Sequence, residues 1–408
     1  MPESPVSAPS RRAASAIVFG AALAGFLAPA AAQATPAPVH PARAVVAAAD
    51  RQPRWTSATM PVAAGVVFDT VQLDAHTTWA YGVELNTTVG PLLMTRNDQD
   101  GRGWTQLPTD ALGEKDRINS VSVLSPNDAW LVGDYSATAG GIVTAHWDGA
   151  AMTTVDAPIP AAVMDAGFLS VSARASGDVW ATGWVEILDS SEPDPNKPGG
   201  VIQVTHNEAL VEHWDGHAWR RATVPDEREM VLQSVLAFSP TNVWAAGYTG
   251  EDQPALLHFD GRAWSAPVPA PYAGLYGEVQ SLAANGPDDI WAVGRAVLDE
   301  DEWGHALVTH WDGHRWQQVA TPADAGRLSD VATVPGGIAV TGSTVDQLDG
   351  YATRLVNNHW QSLGIPVDGT THLMVNGVSW SGGRLTVTGD SESDASPFQQ
   401  PLVLTGQL

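Results

Sequence analysis

Four short segments of this chain align without a gap: NDAWLVG (127–133), GDVWATG (177–183), TNVWAAG (241–247) and DDIWAVG (288–294). HTTWAYG (76–82), GGIAVTG (336–342) and GRLTVTG (383–389) extend the series. The closing glycines, Gly82, Gly133, Gly183, Gly247, Gly294, Gly342 and Gly389, are spaced by 51, 50, 64, 47, 48 and 47 residues. Self-similarity at that period means that each unit is one supersecondary element, unable to bury its apolar face except against its neighbours. Few features restrict the available folds so strongly.

A second segment follows most of the first: HWDGAAM (146–152), HWDGHAW (213–219), HFDGRAW (258–264) and HWDGHRW (310–316), with DGRGW (100–104) and NNHW (357–360) as relatives. Asp-Gly between two alternating runs predicts a tight hairpin with positive φ at both central residues, and Asn-Asn tolerates the same geometry. Upstream of each tryptophan strand lies another short run (INSVSVLSP, GFLSVSARAS, VLQSVLAFSP, VQSLAANGP), separated from it by a Pro, Asn, Asp or Gly turn. Each unit is therefore expected to hold four strands, and no helical period is visible after the N-terminal segment.

Units of this kind predict an all-β fold, a seven-bladed β-propeller of four-stranded antiparallel blades. Tryptophans then serve as apolar plates between blades. The seventh unit has three strands, LMVNGVSW (373–380), GRLTVTG and PLVLTGQL (401–408), and lacks a fourth. RWTSATMP (54–61) has the outline of one: Trp55 and Pro61 are six apart, as are Trp219 and Pro225, Trp316 and Pro322, and Trp360 and Pro366. The expectation is that this N-terminal strand completes the last blade and closes the ring.

The combination of GDVWATG- and HWDGHRW-type segments resembles the repeat of secreted bacterial β-propellers loosely called kelch-like or galactose-oxidase-like, over residues 53–408. The resemblance implies the fold and carries over no activity, because that group shares none. WD-repeats differ by a Gly-His element missing here, and sialidase Asp-boxes by needing Asp-x-Gly.

The ends and the charge bear on location. Arg11 and Arg12 precede an uncharged apolar run, and Ala32-Gln33-Ala34 offers a cleavage site, so residues 1–34 read as a signal peptide and the protein as secreted. Residues 35–52 are rich in Pro and Ala and read as a tether, and 53–408 as the propeller. The formal charge is −25, and removal of residues 1–34 takes away two arginines and one glutamate, leaving −26. Such a surface disfavours nucleic acid and suits a cationic ligand, Ca²⁺ or high solubility. No later stretch is apolar enough to span a membrane, and a monomer is expected.

Repetition separates scaffold from site. His146, His213, His258 and His310 recur at one place in four units and lack zinc-ligand spacing, so they are expected to be structural. Ser120, Ser170, Ser234 and Ser281 each stand ten residues before a strand tryptophan, and with Asp69 and Asp330 they are expected to line the central channel. The connections after the second strands are acidic and not repeated. Glu251, Asp252, Asp299, Glu300, Asp301, Glu302, Asp346, Asp349, Asp390 and Glu392, with Trp303, are the candidate ligand-binding rim. Glu186, Asp189, Glu192, Asp194 and Asp394 belong to the same loops, and oxygen-rich loops suit Ca²⁺. No nucleophile elbow, zinc-protease, Walker or cysteine motif is present. The leading expectation is a binding scaffold whose acidic face engages a protein, a glycan or Ca²⁺. A carbohydrate-active or lyase-type enzyme with axial carboxylates and a multivalent lectin are the alternatives.

Overall fold

The computed structural model describes residues 52–408, apart from 75, 86–88, 136–140, 160–162, 196, 198, 251–252, 300–303, 367–371 and 394–395. The expected signal peptide and nearly all of the tether lie outside the described residues. All regular elements among the described residues are strands, paired antiparallel.

β1 (Thr56–Ser57) stands alone at the start. β2 (Gly65–Gln72), β3 (Thr77–Leu85), β4 (Val89–Asn97) and β5 (Trp104–Gln106) then pair in chain order as one sheet. β6 (Asp116–Ser125), β7 (Asp128–Tyr135), β8 (Ile142–Trp147) and β9 (Met152–Thr154) form a second run of four. A third run follows in β10 (Val163–Ala175), β11 (Asp178–Pro193), β12 (Val201–Trp214) and β13 (Trp219–Arg221). A single pairing of Gly167 with Asp134 joins these two runs into eight strands. The next sheet is β14 (Met230–Ser239), β15 (Asn242–Thr249), β16 (Pro254–Phe259) and β17 (Val268–Pro269). It is followed by β18 (Tyr276–Gly286), β19 (Asp289–Val297), β20 (His305–Trp311) and β21 (Trp316–Gln318). The sheet after that holds β22 (Ala325–Val334), β23 (Gly337–Thr344), β24 (Gly350–Val356) and β25 (His359–Ser362). The last comprises β26 (His372–Ser381), β27 (Arg384–Ser393) and β28 (Ser396–Gln407), with β1 as the fourth strand.

β1 pairs with β28, Thr56 opposite Thr405 and Ser57 opposite Leu404. Only these two residues of the predicted strand 54–61 join the ladder. The flanks are held otherwise: the Ala58 amide donates to the Val403 carbonyl (3.1 Å), and the Trp55 indole to the Leu363 carbonyl (2.9 Å). The first strands β2, β6, β10, β14, β18, β22 and β26 lie against one another in that order, and β26 lies against β2.

The core consists of layers between neighbouring sheets. One joins Trp79 and Leu93 to Ile118, Leu131 and Trp147. Another joins Val403 of β28 to Val67, Ala80, Leu92 and Met94 of the first sheet. Aromatic packing explains the repeated tryptophans. A second-strand indole in one sheet meets the tryptophan opening the fourth strand or the adjoining turn of the next: Trp130 with Trp219 (5.5 Å, 88°), Trp180 with Trp264 (5.5 Å, 81°) and Trp244 with Trp316 (5.6 Å, 77°). These edge-to-face pairs follow from the ring quadrupole.

Two expectations need correction. In the Asp-Gly hairpins only the glycine has positive φ (Gly149 92°, Gly216 90°, Gly261 90°, Gly313 85°). Trp147 faces Met152, and Trp214 faces Trp219, so the loop has four residues. The aspartate caps it, with Asp148 Oδ1 accepting from the Ala150 and Ala151 amides (2.8 Å each). The two-residue turn with positive φ throughout occurs at Asn357-Asn358 (50°, 62°), between Val356 and His359. Secondly, residues 183–200 are not simply a loop. β11 and β12 continue as a hairpin, with Ser190 opposite Val204 and Pro193 opposite Val201, which places Glu186, Asp189 and Glu192 on a strand.

Candidate functional site at one end of the strand ring

Every first strand is irregular at the same place. Register shifts fall between Val67 and Asp69, Ile118 and Ser120, Phe168 and Ser170, Leu232 and Ser234, Val279 and Ser281, Leu328 and Asp330, and Val375 and Gly377. Each shift is a β-bulge, in which one residue has no partner and the strand bends. Opposite each bulge stands the closing glycine of the repeat. A Cβ at Gly133 would lie 1.7 Å from the Arg117 carbonyl oxygen, and at Gly247 1.9 Å from that of Val231. The repeated glycine is therefore required by a close approach of backbone to backbone.

In five of the seven units the residue after the bulge links neighbouring sheets. Ser120 Oγ accepts from the Val171 amide (3.2 Å), Ser170 from Val235 (3.1 Å) and Ser234 from Leu282 (3.1 Å). Ser281 instead donates to Asp330 Oδ1 (2.7 Å), and Asp330 Oδ2 accepts from the Val378 amide (2.8 Å). In the last sheet this position is Gly377, where a Cβ would meet Asp69 Oδ1 at 2.6 Å. The Asp69 side chain thus reaches toward the space a serine would take.

The half-buried Asp69 and Asp330 and the buried Tyr81 form a titratable group. Burial, then the Asp330 carboxylate, pushes Asp69 well above the usual carboxylate range, and its Oδ1 is buried without a hydrogen-bond partner. Burial pushes Asp330 up to about 6 against the pull of the Ser281 and Val378 hydrogen bonds. Burial and the two carboxylates raise Tyr81, whose hydroxyl bonds Ser120. Adjacent acids in a low-dielectric setting do not both ionise readily.

The position following each repeat glycine is not constant, with six residue types in seven units: Val83, Asp134, Trp184, Tyr248, Arg295, Ser343 and Asp390. With the first-strand residues they pair with, these residues stand at one end of the strands, here called the mouth. Arg117 forks onto Asp134 (Nε to Oδ1 2.6 Å, Nη2 to Oδ2 2.8 Å), and Asn119 Nδ2 donates to Asp134 Oδ2 (3.1 Å). Glu278 Oε1 lies 3.5 Å from Arg295 Nε and 3.2 Å from Arg327 Nε, so two guanidiniums share one carboxylate. Arg327 also donates to Gln280 Oε1 (2.8 Å). Gln280 Nε2, Arg295 Nε and Arg327 Nε are buried without good hydrogen-bond geometry. Asp390 is 2% exposed, and burial pushes it up to about 6 even though Gln399 donates to it (3.1 Å) and His372 draws it down.

The predicted rim is divided by the structure. Glu251, Asp252, Glu300, Asp301, Glu302 and Trp303 lie outside the described residues, as does Asp394. Asp299 is exposed just after β19. Asp346 caps its own turn, accepting from Thr344 Oγ1 (2.6 Å) and the Leu348 amide (3.2 Å), and the backbone of Asp349 closes the same turn. Asp390 and Glu392 belong to β27, and Glu392 faces His372 across the ladder. Asp189 is held by Arg228 (3.0 Å) and His206 (3.0 Å). Among the described residues no group of three or more His, Asp or Glu is arranged to hold a metal ion. The repeated histidines bond the residue opening the second strand: His146 to Asp128 (2.8 Å), His213 to Asp178 (2.8 Å), His258 to Asn242 (2.9 Å) and His310 to Asp289 (2.7 Å). Each also packs on the tryptophan of that strand, as His310 does on Trp291 (4.1 Å).

Sequence reasoning missed Arg117, Asp134, Glu278, Arg295 and Arg327. For Asp134 and Arg295 the signal was present in the variation immediately after a constant glycine; Arg117, Glu278 and Arg327 stand in the first strands and carry no such mark.

This architecture is that of a β-propeller protein, and comparison with solved structures agrees. The chain is similar to YCF48 bound to D1 peptide (TM-score 0.51, 16% identity, covering 87% of this chain and 97% of that one). It is similar to YCF48 from Cyanidioschyzon merolae (TM-score 0.53, 13% identity, covering 86% and 98%). It also resembles a GH74 xyloglucanase from Xanthomonas campestris (TM-score 0.53, 14% identity), spanning 86% of this chain and 55% of that enzyme. At such identities the likeness concerns the fold alone. No family model and no curated protein matches the sequence.

Proposed function

We propose that the protein is a secreted binding scaffold: a seven-bladed propeller, closed by residues 54–61 in the last blade, that engages an extracellular protein or peptide at the mouth. One observation carries this reading. Side chains that repeat are consumed by packing and turn formation, whereas the position after the repeat glycine takes six residue types in seven units and includes Trp184, Tyr248, Arg295 and Asp390. The ring reading is supported by the contact of β26 with β2 and by the β1–β28 pairing. A peptide partner is supported by the similarity to a propeller solved with a peptide bound. Export rests on the reading of residues 1–34 as a signal peptide.

The test is a peptide and glycan binding screen with the mature protein, followed by Trp184→Ala and Arg295→Gln. Ligands found in the screen should lose at least tenfold affinity in one of the two variants. Undiminished binding in both removes the mouth from the proposal. The enzyme reading has its own support in the Asp69–Asp330 pair, two half-buried acids whose pKa is raised, beside Tyr81. Turnover on a polysaccharide panel that vanishes in Asp69→Asn would favour it over binding alone.

A further inference from the structure

We propose that the cleft between the first and last sheets, separate from the mouth, binds an oxyanion-bearing ligand and that occupancy strengthens the seam. The cleft has a volume of about 920 Å³ and carries Arg54, Arg96, Arg102 and Arg384 against one acid, Asp98. That volume falls in the range of small-molecule sites. The four arginines come from both sides of the seam. Arg54 precedes β1 and Arg384 opens β27, both in the last sheet, while Arg96 lies in β4 and Arg102 in the turn leading to β5 of the first.

Asp98 is already engaged. It lies 2.8 Å from Arg96, and its other oxygen accepts from Arg384. Arg54 and Arg102 are exposed, and their guanidiniums make no ion pair among the described residues. Asp100 Oδ1 accepts from the Arg102 amide nearby (2.8 Å), so the four arginines outnumber the adjacent acids by two, in a chain of net charge −25 with only 20 lysines and arginines. Like charges repel, and an acidic protein has no need to collect its few cations for solubility. Guanidinium forks match carboxylate, phosphate and sulfate oxygens two at a time, so an oxyanion is the ligand chemistry that fits. Because such a ligand touches groups from the first and last sheets, it binds the closed form alone and raises stability by mass action.

The experiment uses the mature protein with citrate, inorganic phosphate and sulfate as probes, at millimolar concentration and ionic strength matched with chloride. Calorimetric titration and melting temperature are read together. Saturable binding of any of the three, with a rise in melting temperature, is expected, and the tightest probe identifies the headgroup. The Arg54→Gln/Arg102→Gln double variant alters only exposed, unpaired side chains and should bind at least tenfold more weakly, whereas Arg262→Gln, on a distant turn, should bind as the parent does. Absence of saturable heat for all three probes overturns the proposal. So does equal binding by the double variant, which would leave the mouth reading untouched.

Discussion

Glu212 lies in β12 with no exposed surface, and neither carboxylate oxygen has a hydrogen-bond partner. Its neighbours across the ladder are Ala181 and Arg221. The Arg221 guanidinium contacts Glu208 and Glu227 and draws Glu212 down only in part. Burial pushes the Glu212 carboxyl from an ordinary 4.5 up to about 8. The folded state thus holds a proton that the unfolded chain releases above 4.5. Stability is fully present below 4.5 and is lost as pH rises through about 8, at roughly 1.4 kcal/mol per pH unit. The whole loss is about 5 kcal/mol, a large share of the 5–15 kcal/mol typical of a domain. Leu257 fills the equivalent place in the following sheet, opposite Ala245, and is fully buried. Glu212→Leu should therefore be tolerated sterically and should remove the titration. Urea unfolding from pH 5.5 to 8.5 is the assay. The stability gain of the variant should be small at pH 5.5 and grow by several kcal/mol at pH 8.5. A gain independent of pH would refute the reasoning, because it would mean that Glu212 ionises in the folded protein as it does in the unfolded chain.

Other outcomes follow from the same geometry. Gly247→Ala drives a Cβ to 1.9 Å from the Val231 oxygen and should cost more than about 3 kcal/mol in urea unfolding; a cost below 1 kcal/mol would show that the bulge can relax. Ser170→Ala removes the acceptor for the Val235 amide and should cost about 1 kcal/mol without altering the fold. A chain beginning at Ala49 should fold, while one beginning at Gly65, which lacks β1 and its Trp55 and Ala58 hydrogen bonds, should aggregate; equal melting temperatures would dismiss the N-terminal strand as a latch. If acidic loops hold Ca²⁺, the melting temperature falls in EDTA, and an unchanged value removes calcium from the ligands to be considered.

The two levels of description divide along physical lines. The period of the repeat, the alternation within runs and the Asp-Gly turns were readable because strand period and turn chemistry are local, set by a few adjacent φ and ψ angles. Even there the turn was misassigned: the aspartate side chain caps a four-residue loop, which makes positive φ at the aspartate unnecessary. The hairpin at 184–201 read as a loop because its acidic residues face solvent on a strand, where composition alone does not mark pairing. The serines were legible as a recurring position, yet their work lies between sheets: Ser120 meets the amide of Val171, a partner 51 residues away.

From its own order of residues the chain determined the number and character of the repeated units, the absence of helix in them, and which residues recur too regularly to form a unique site. Only the tertiary structure decided that Arg117, Glu278, Arg295, Arg327 and Asp390 stand at the same end of the strands, and that Arg54, Arg96, Arg102 and Arg384 share one cleft. Those groups come from different sheets, and their proximity depends on how the sheets pack around the axis, a long-range arrangement that no local pattern encodes.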